Sequence, residues 1–93
     1  MRRFELGRIV GTPSALEVLD QQGIPPLTLV ARHASGDWGE VCPADARENE
    51  RSVKNGWRIM SVYEVNPSGV EWRVWVLTEA DRSSSCLLLP EEY

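Results

Sequence analysis

His33 is the chain's only histidine, and Asp37 and Glu40 follow it in "HASGDWGE". Further on, "VWVLTEADRSSSC" places Glu79, Asp81 and Arg82 directly after an apolar run. Imidazole and carboxylate groups brought together could move protons or hold a divalent cation, and an arginine beside them could steady developing negative charge. If the 36–40 loop met the 79–82 turn, the cluster would suit phosphodiester or acyl hydrolysis. The same residues have a plainer use. Asp37 and Asp81 can accept backbone N–H bonds in turns, and Glu79 and Arg82 can tie two loops as an ion pair. With one histidine and no cysteine or histidine pair at ligand spacing, the plainer use is preferred, and no metal or cofactor is expected.

A nucleophile is a second possibility. Cys42 precedes Pro43 at a helix start, which can depress a thiol pKa, and Ser83, Ser84 and Ser85 form a short run. No nucleophile-elbow motif surrounds any of them. Cys42 reads as a small hydrophobe and the serines as turn residues, so no catalytic residue is assigned. Cys42 and Cys86 are expected as free thiols in the cytoplasm, because the opening "MRRFELGRIVG" lacks the apolar core of an export signal.

The third possibility is a binding face. Trp75, Arg73, Glu64 and Glu71 fall on one side of a hairpin, and an exposed indole among charges makes a partner anchor. Asp45, Glu48 and Glu50 give a helix an acidic stripe that could stand in for phosphates on a basic partner, although Arg47, Arg51 and Lys54 interrupt it. The plainer alternative packs Trp75 and Met60 beneath helices and leaves the acids solvated. Net charge is −4, from 14 acidic and 10 basic residues, which disfavours direct nucleic-acid binding and leaves basic protein partners open. No apolar stretch approaches the ~18 residues of a membrane span.

The elements that position these residues segregate: helices over 12–56, strands over 57–90. That points to one α+β domain of 93 residues. "FELGRIV" (4–10) could be a short edge strand weakened by Gly7. Thr12 and Pro13 open a helix over 13–22 that Gly23 stops. In "IPPLTLVARHASG", Leu27, Val30, Ala31 and Ala34 recur at helical spacing, and the short linker predicts an antiparallel αα-hairpin. "GDWGEV" turns around an indole that should plug the core. A polar third helix spans 43–54, with Asn49 between Ala46 and Val53 and a Glu50–Lys54 pair.

Asn66-Pro67-Ser68-Gly69 predicts a four-residue turn. Val65 would then face Val70, Tyr63 Trp72, Ser61 Val74, Ile59 Val76 and Trp57 Thr78 on the core side. The other face would pair Met60 with Trp75, Val62 with Arg73, and Glu64 with Glu71. "SSSCLLLP" is a third strand, about 84–89, so "EADRS" is first a connection. The expected sheet has three antiparallel strands.

Four segments, "RHASGDWGE", "NGWRIMSVYEV", "VWVLTEADRS" and "LLLPEEY", resemble a small bacterial family found on plasmids, phages and integrating elements. The resemblance spans roughly His33 to Tyr93 and the Thr-Pro-x-Ala-Leu-Glu helix. It departs at "SSSC", where that family carries threonines, and in a longer turn at 66–69. It implies cargo of a mobile element rather than a particular chemistry. Small acidic proteins of that kind often bind and inhibit a host defence protein, a nuclease or CRISPR-type complex for instance. The leading expectation is therefore a non-enzymatic anti-defence protein that binds a host protein. A small hydrolase or nuclease using the carboxylates with His33 is the rival, and a homodimer through the sheet edge is a third reading.

Overall fold

Thr12 opens the first helix, α1 (Pro13–Gln21), as its sequence implies. Its Oγ1 accepts the Ala15 amide at 3.1 Å, and Pro13 fills a position whose N–H would have no helical partner. Proline also starts α2 (Pro26–Ala34) and α3 (Pro43–Asn55), and α3 stops at Gly56, which is left-handed at φ 72. The computed structural model describes residues 2–66 and 72–93. Within them, β1 (Arg8–Gly11), β2 (Ile59–Glu64), β3 (Arg73–Thr78) and β4 (Ser84–Leu88) form one sheet of order β1-β4-β3-β2. A single 3₁₀ turn, Pro90–Glu92, follows β4. The architecture is α+β, with three helices and a four-stranded mixed sheet.

That sheet corrects the three-stranded antiparallel expectation at one edge. β1 lies parallel to β4, with Arg8 beside Ser84 and Gly11 beside Leu87. Gly7, at φ 64, breaks the segment, so the buried Phe4 and Leu6 precede the strand. A Cβ at Gly7 would overlap the Arg82 carbonyl, so only glycine fits there. β1's partner lies at the far end of the chain, beyond the reach of any local pattern.

The hairpin keeps its faces but changes register. The Val65 amide donates to the Trp72 carbonyl at 3.0 Å, and Ile59 faces Thr78, Ser61 faces Val76 and Tyr63 faces Val74. Each pairing is displaced by two residues from that of a four-residue turn, because residues 66–71 all lie between Val65 and Trp72. A shift of two preserves which side chains point inward. Ile59, Tyr63, Val74 and Val76 are accordingly buried, with Trp72 packed against them. Trp57 is the exception at 48 % exposed, since it stands before the first residue of β2. Glu64 faces Arg73 rather than Glu71, which removes the expected clash of carboxylates. Glu71 and the turn residues Pro67, Ser68 and Gly69 lie outside the described residues.

The helices cover the inner face separately. α1 docks mainly on β4 and α2 on β3, rather than lying along each other, which corrects the αα-hairpin. The buried side of α2 is Leu29, Val30, His33 and Ala34, and Leu27 is 63 % exposed. Because His33 belongs to the core, the buried arc rotates toward positions 29 and 33 and leaves Leu27 at its margin. Trp38 plugs the core as expected, stacked 6.2 Å from Phe4.

α3 closes the β2 edge. Asn49 Nδ2 donates to the Met60 carbonyl at 2.8 Å, and Asn49 Oδ1 accepts the Met60 amide at 3.2 Å. One turn of sheet further, the Val62 amide donates to the Trp38 carbonyl and the Val62 carbonyl accepts the Glu40 amide. A side-chain amide and a loop backbone thus occupy an edge that would otherwise template further strands.

Candidate functional site

The imidazole of His33 is fully buried, with both nitrogens engaged. Nδ1 lies 2.6 Å from Ser61 Oγ and Nε2 lies 2.8 Å from Thr78 Oγ1. The proton order follows from the far end. Ser85 Oγ donates to the Leu6 carbonyl at 2.8 Å, so its oxygen accepts from Thr78 at 2.7 Å. Thr78 then accepts from Nε2–H, and Ser61 donates to Nδ1. The ring is the neutral Nε2–H tautomer, and burial, with the Arg82 charge second, pulls its pKa down to about 4. A general base needs reach to a substrate, and this ring has none.

The carboxylates do not converge on it either. Asp37 pairs with Arg32 at 2.6 Å and accepts the Gly39 amide at 3.2 Å; the Arg32 bond holds its carboxyl below the usual range. Glu40 is exposed on the loop that pairs with Val62. Asp81 caps its own turn by accepting the Ser83 amide at 3.0 Å, and Glu79 meets Arg58 at 3.4 Å. The 36–40 loop and the 79–82 turn attach at different ends of β2, one at Val62 and the other at Trp57. Glu50 leaves the acidic stripe and takes Arg3 at 2.7 and 3.0 Å, instead of Lys54. It also accepts from the Trp38 indole at 3.1 Å, and the Arg3 bond brings its carboxyl down to about 2. Among the described residues, no three His, Cys, Asp or Glu side chains stand together as metal ligands.

Arg82 is a structural clamp. Its backbone is left-handed at φ 61, and its guanidinium donates to the carbonyls of Trp57 (2.7 Å), Ser52 (2.9 Å), Glu79 (3.1 Å) and Ala80 (3.2 Å). The turn after β3 is thereby fastened to the C-terminal end of α3. Arg82→Ala is expected to cost about 2 kcal/mol by stranding several of these acceptors. Arg82→Gly should cost about 1 kcal/mol less, because glycine carries no left-handed penalty. Urea unfolding of the two variants checks the order, and equal losses would mean that the backbone is unstrained.

The outer face of the sheet is different. The two N-terminal helices lie on the opposite face, and Met60, Val62, Trp75 and Leu77 form the floor of a cavity of about 340 Å³. One wall is Val41, just before α3, with Asp45 and Glu48 of α3, and Arg58 and Tyr93 supply the other. Trp75 lies 5.3 Å from the Tyr93 ring, and Arg58 donates to the Tyr93 hydroxyl at 3.2 Å. The C-terminal turn that carries Tyr93 is latched by Glu92, which accepts from the Thr12 hydroxyl at 2.7 Å and the Leu89 amide at 2.8 Å. Trp75 and Met60 both stay partly exposed between α3 and the C-terminal turn.

Charge around this groove is uneven. Glu48 is neutralised by Arg51 at 2.8 Å, and Arg58 by Glu79. Asp45 on the wall, and Glu64 beside Val62 on the outer face of β2, have no ion pair or side-chain hydrogen bond among the described residues. The uncommitted charge at the groove is therefore negative. No family model, curated protein or solved structure matches the chain.

Of the residues singled out by sequence, the structure gathers Trp75, Arg73, Glu64 and Glu48 on or beside this face. It sends Asp37, Glu40, Glu50, Glu79, Asp81 and Arg82 to ion pairs, turns and clamps. Sequence reasoning missed Arg58 and Tyr93 as groove residues. The outward alternation of β2 pointed to Met60 and Val62, whereas only the fold brings Tyr93 back over Trp75.

Proposed function

We propose that the chain is a non-enzymatic binding protein that captures a host protein in the outer-face groove and inhibits it. The observation that carries this reading is the groove itself: an apolar floor and a Trp75–Tyr93 aromatic pair, with the Asp45 carboxylate on its wall. Such a surface fits a partner segment that offers an apolar side chain flanked by lysine or arginine. The apolar group would fill the floor beside the indole, and the cation would face Asp45 or Glu64. The resemblance to mobile-element proteins supports an anti-defence role, with a nuclease or CRISPR-type complex as the captured host protein. The hydrolase reading has less support, because both nitrogens of its one histidine are spent inside the core.

Trp75→Ala should weaken capture of the partner from a host lysate by about 30-fold, the effect of removing a central aromatic anchor. Asp45→Lys should weaken it by about tenfold or more through charge reversal. Glu50→Gln, on the other side of α3, should leave capture unchanged. Affinity capture with mass spectrometry, alongside thermal melts that establish folding, makes the comparison. Folded Trp75→Ala and Asp45→Lys proteins that retain the same partner at wild-type strength would remove the groove from the interface.

A further inference from the structure

The geometry points to a second interaction surface, the open edge of β1, and to a second copy of this chain as its partner. The ladder between β1 and β4 uses the Arg8 amide, bonded to the Ser83 carbonyl at 3.0 Å, and the Thr12 amide, bonded to the Leu87 carbonyl at 2.9 Å. In a parallel ladder alternate residues face the neighbouring strand, so Val10 bonds inward with them. Ile9 and Gly11 then direct their N–H and C=O groups outward, away from β4.

The two edges of the sheet are treated differently. Asn49 and the 38–40 backbone seal β2. Among the described residues no equivalent side chain caps β1, whose own edge side chains are apolar and open: Ile9 is 42 % exposed and Val10 40 %. Arg8 is its single charged residue.

The strand is complementary to itself in one direction only. An antiparallel pair centred on Ile9 sets Ile9 against the Ile9 of its copy and Arg8 against Val10, so no like charges face. The outward N–H and C=O of the two Ile9 residues satisfy each other, as a twofold contact requires. A parallel pair would instead set Arg8 beside Arg8. Gly7 and Gly11, on either side, carry no side chain to obstruct the approach. The result is one eight-stranded sheet with both inner faces on the same side. The two outer-face grooves then also open on one side, which suits a partner with two matching sites.

Sedimentation equilibrium on the whole chain tests this. The wild type should move from 10.5 kDa toward twice that mass as concentration rises. Ile9→Lys places two cations on the twofold axis and should weaken association at least about tenfold. Ile9→Pro removes the outward N–H while leaving the Arg8–Ser83 and Thr12–Leu87 bonds their donors, and should do the same, with far-UV circular dichroism establishing the fold of each variant. A wild type that stays at monomer mass up to about 1 mM, where even a weak pair would be populated, overturns the proposal. So does a folded Ile9→Lys variant that associates as strongly as wild type. Neither result bears on the groove, since Ile9 lies on the other face of the sheet and outside the groove lining.

Discussion

Gly39→Ala is expected to cost about 4 kcal/mol of stability, whereas Gly23→Ala should cost only about 1 kcal/mol. Both glycines are left-handed, at φ 75 and φ 68, so the conformational penalty is nearly the same. Their surroundings differ. A Cβ at Gly23 meets nothing within 4 Å, but at Gly39 it would overlap the Val62 carbonyl oxygen and lie 2.8 Å from Tyr63 Cδ1. Both obstacles belong to the sheet and cannot yield cheaply. The loop must retreat, which breaks the bonds that Val62 makes to Trp38 and Glu40 and draws the Trp38 indole from its place beside Phe4 and His33. Urea midpoints at unchanged slope give the two values. Equal losses at 23 and 39 would show that the loop does not lean on the sheet.

Lowering the pH from 7 to 4.5 should remove about 2.5 kcal/mol through His33. Its folded pKa of about 4 lies below the unfolded value of 6.5, so the unfolded chain takes up the proton first. The contribution is full above pH 6.5 and falls as the pH drops toward 4. The carboxylates held low in the fold, such as Glu50 and Asp37, lose their contributions only below about pH 4.5, so the upper window belongs to the histidine. A second proton would stand on Nδ1 facing Ser61, whose own hydroxyl would then lose its acceptor. His33→Gln should be less stable than wild type at pH 7, and the gap should narrow by pH 4.5. Because the chain has one histidine, its NMR titration reads the pKa directly. A midpoint near 6.5 would contradict a sealed relay.

Much of this fold was legible wherever the deciding physics is local. Proline and threonine at helix starts and glycine after α3 act within a few residues, and those helices stand where their sequences place them. The two faces of the hairpin were legible because alternation has period two, so even a two-residue error in register left Tyr63 and Val76 inside. Register itself depends on the turn, and the partner of β1 depends on the whole chain; neither is carried by neighbours. The candidate site divides the same way. Trp75 could be picked out from its outward position, but Tyr93 reaches it only through the Thr12–Glu92 latch. The role of His33 had a readable trace: Ser61, Thr78 and Ser85 are polar residues at inward positions of three strands, which implies a buried polar partner among the helices.

The parallel pairing of β1 also orders events in time. The hydrogen bond between Ser85 and the Leu6 carbonyl joins residues 79 positions apart, and the Thr12–Glu92 bond spans 80. As the chain is synthesised, Phe4, Leu6 and β1 emerge first, yet they have no sheet to join until β4 has followed the helices and the hairpin. Closing so long a loop is entropically slow, so this segment docks last and leaves first. Until then the outer edge of the nascent sheet is β4 itself, with Leu87 and Leu88 awaiting cover, and the interval before β1 arrives is when the folding chain is most open to aggregation.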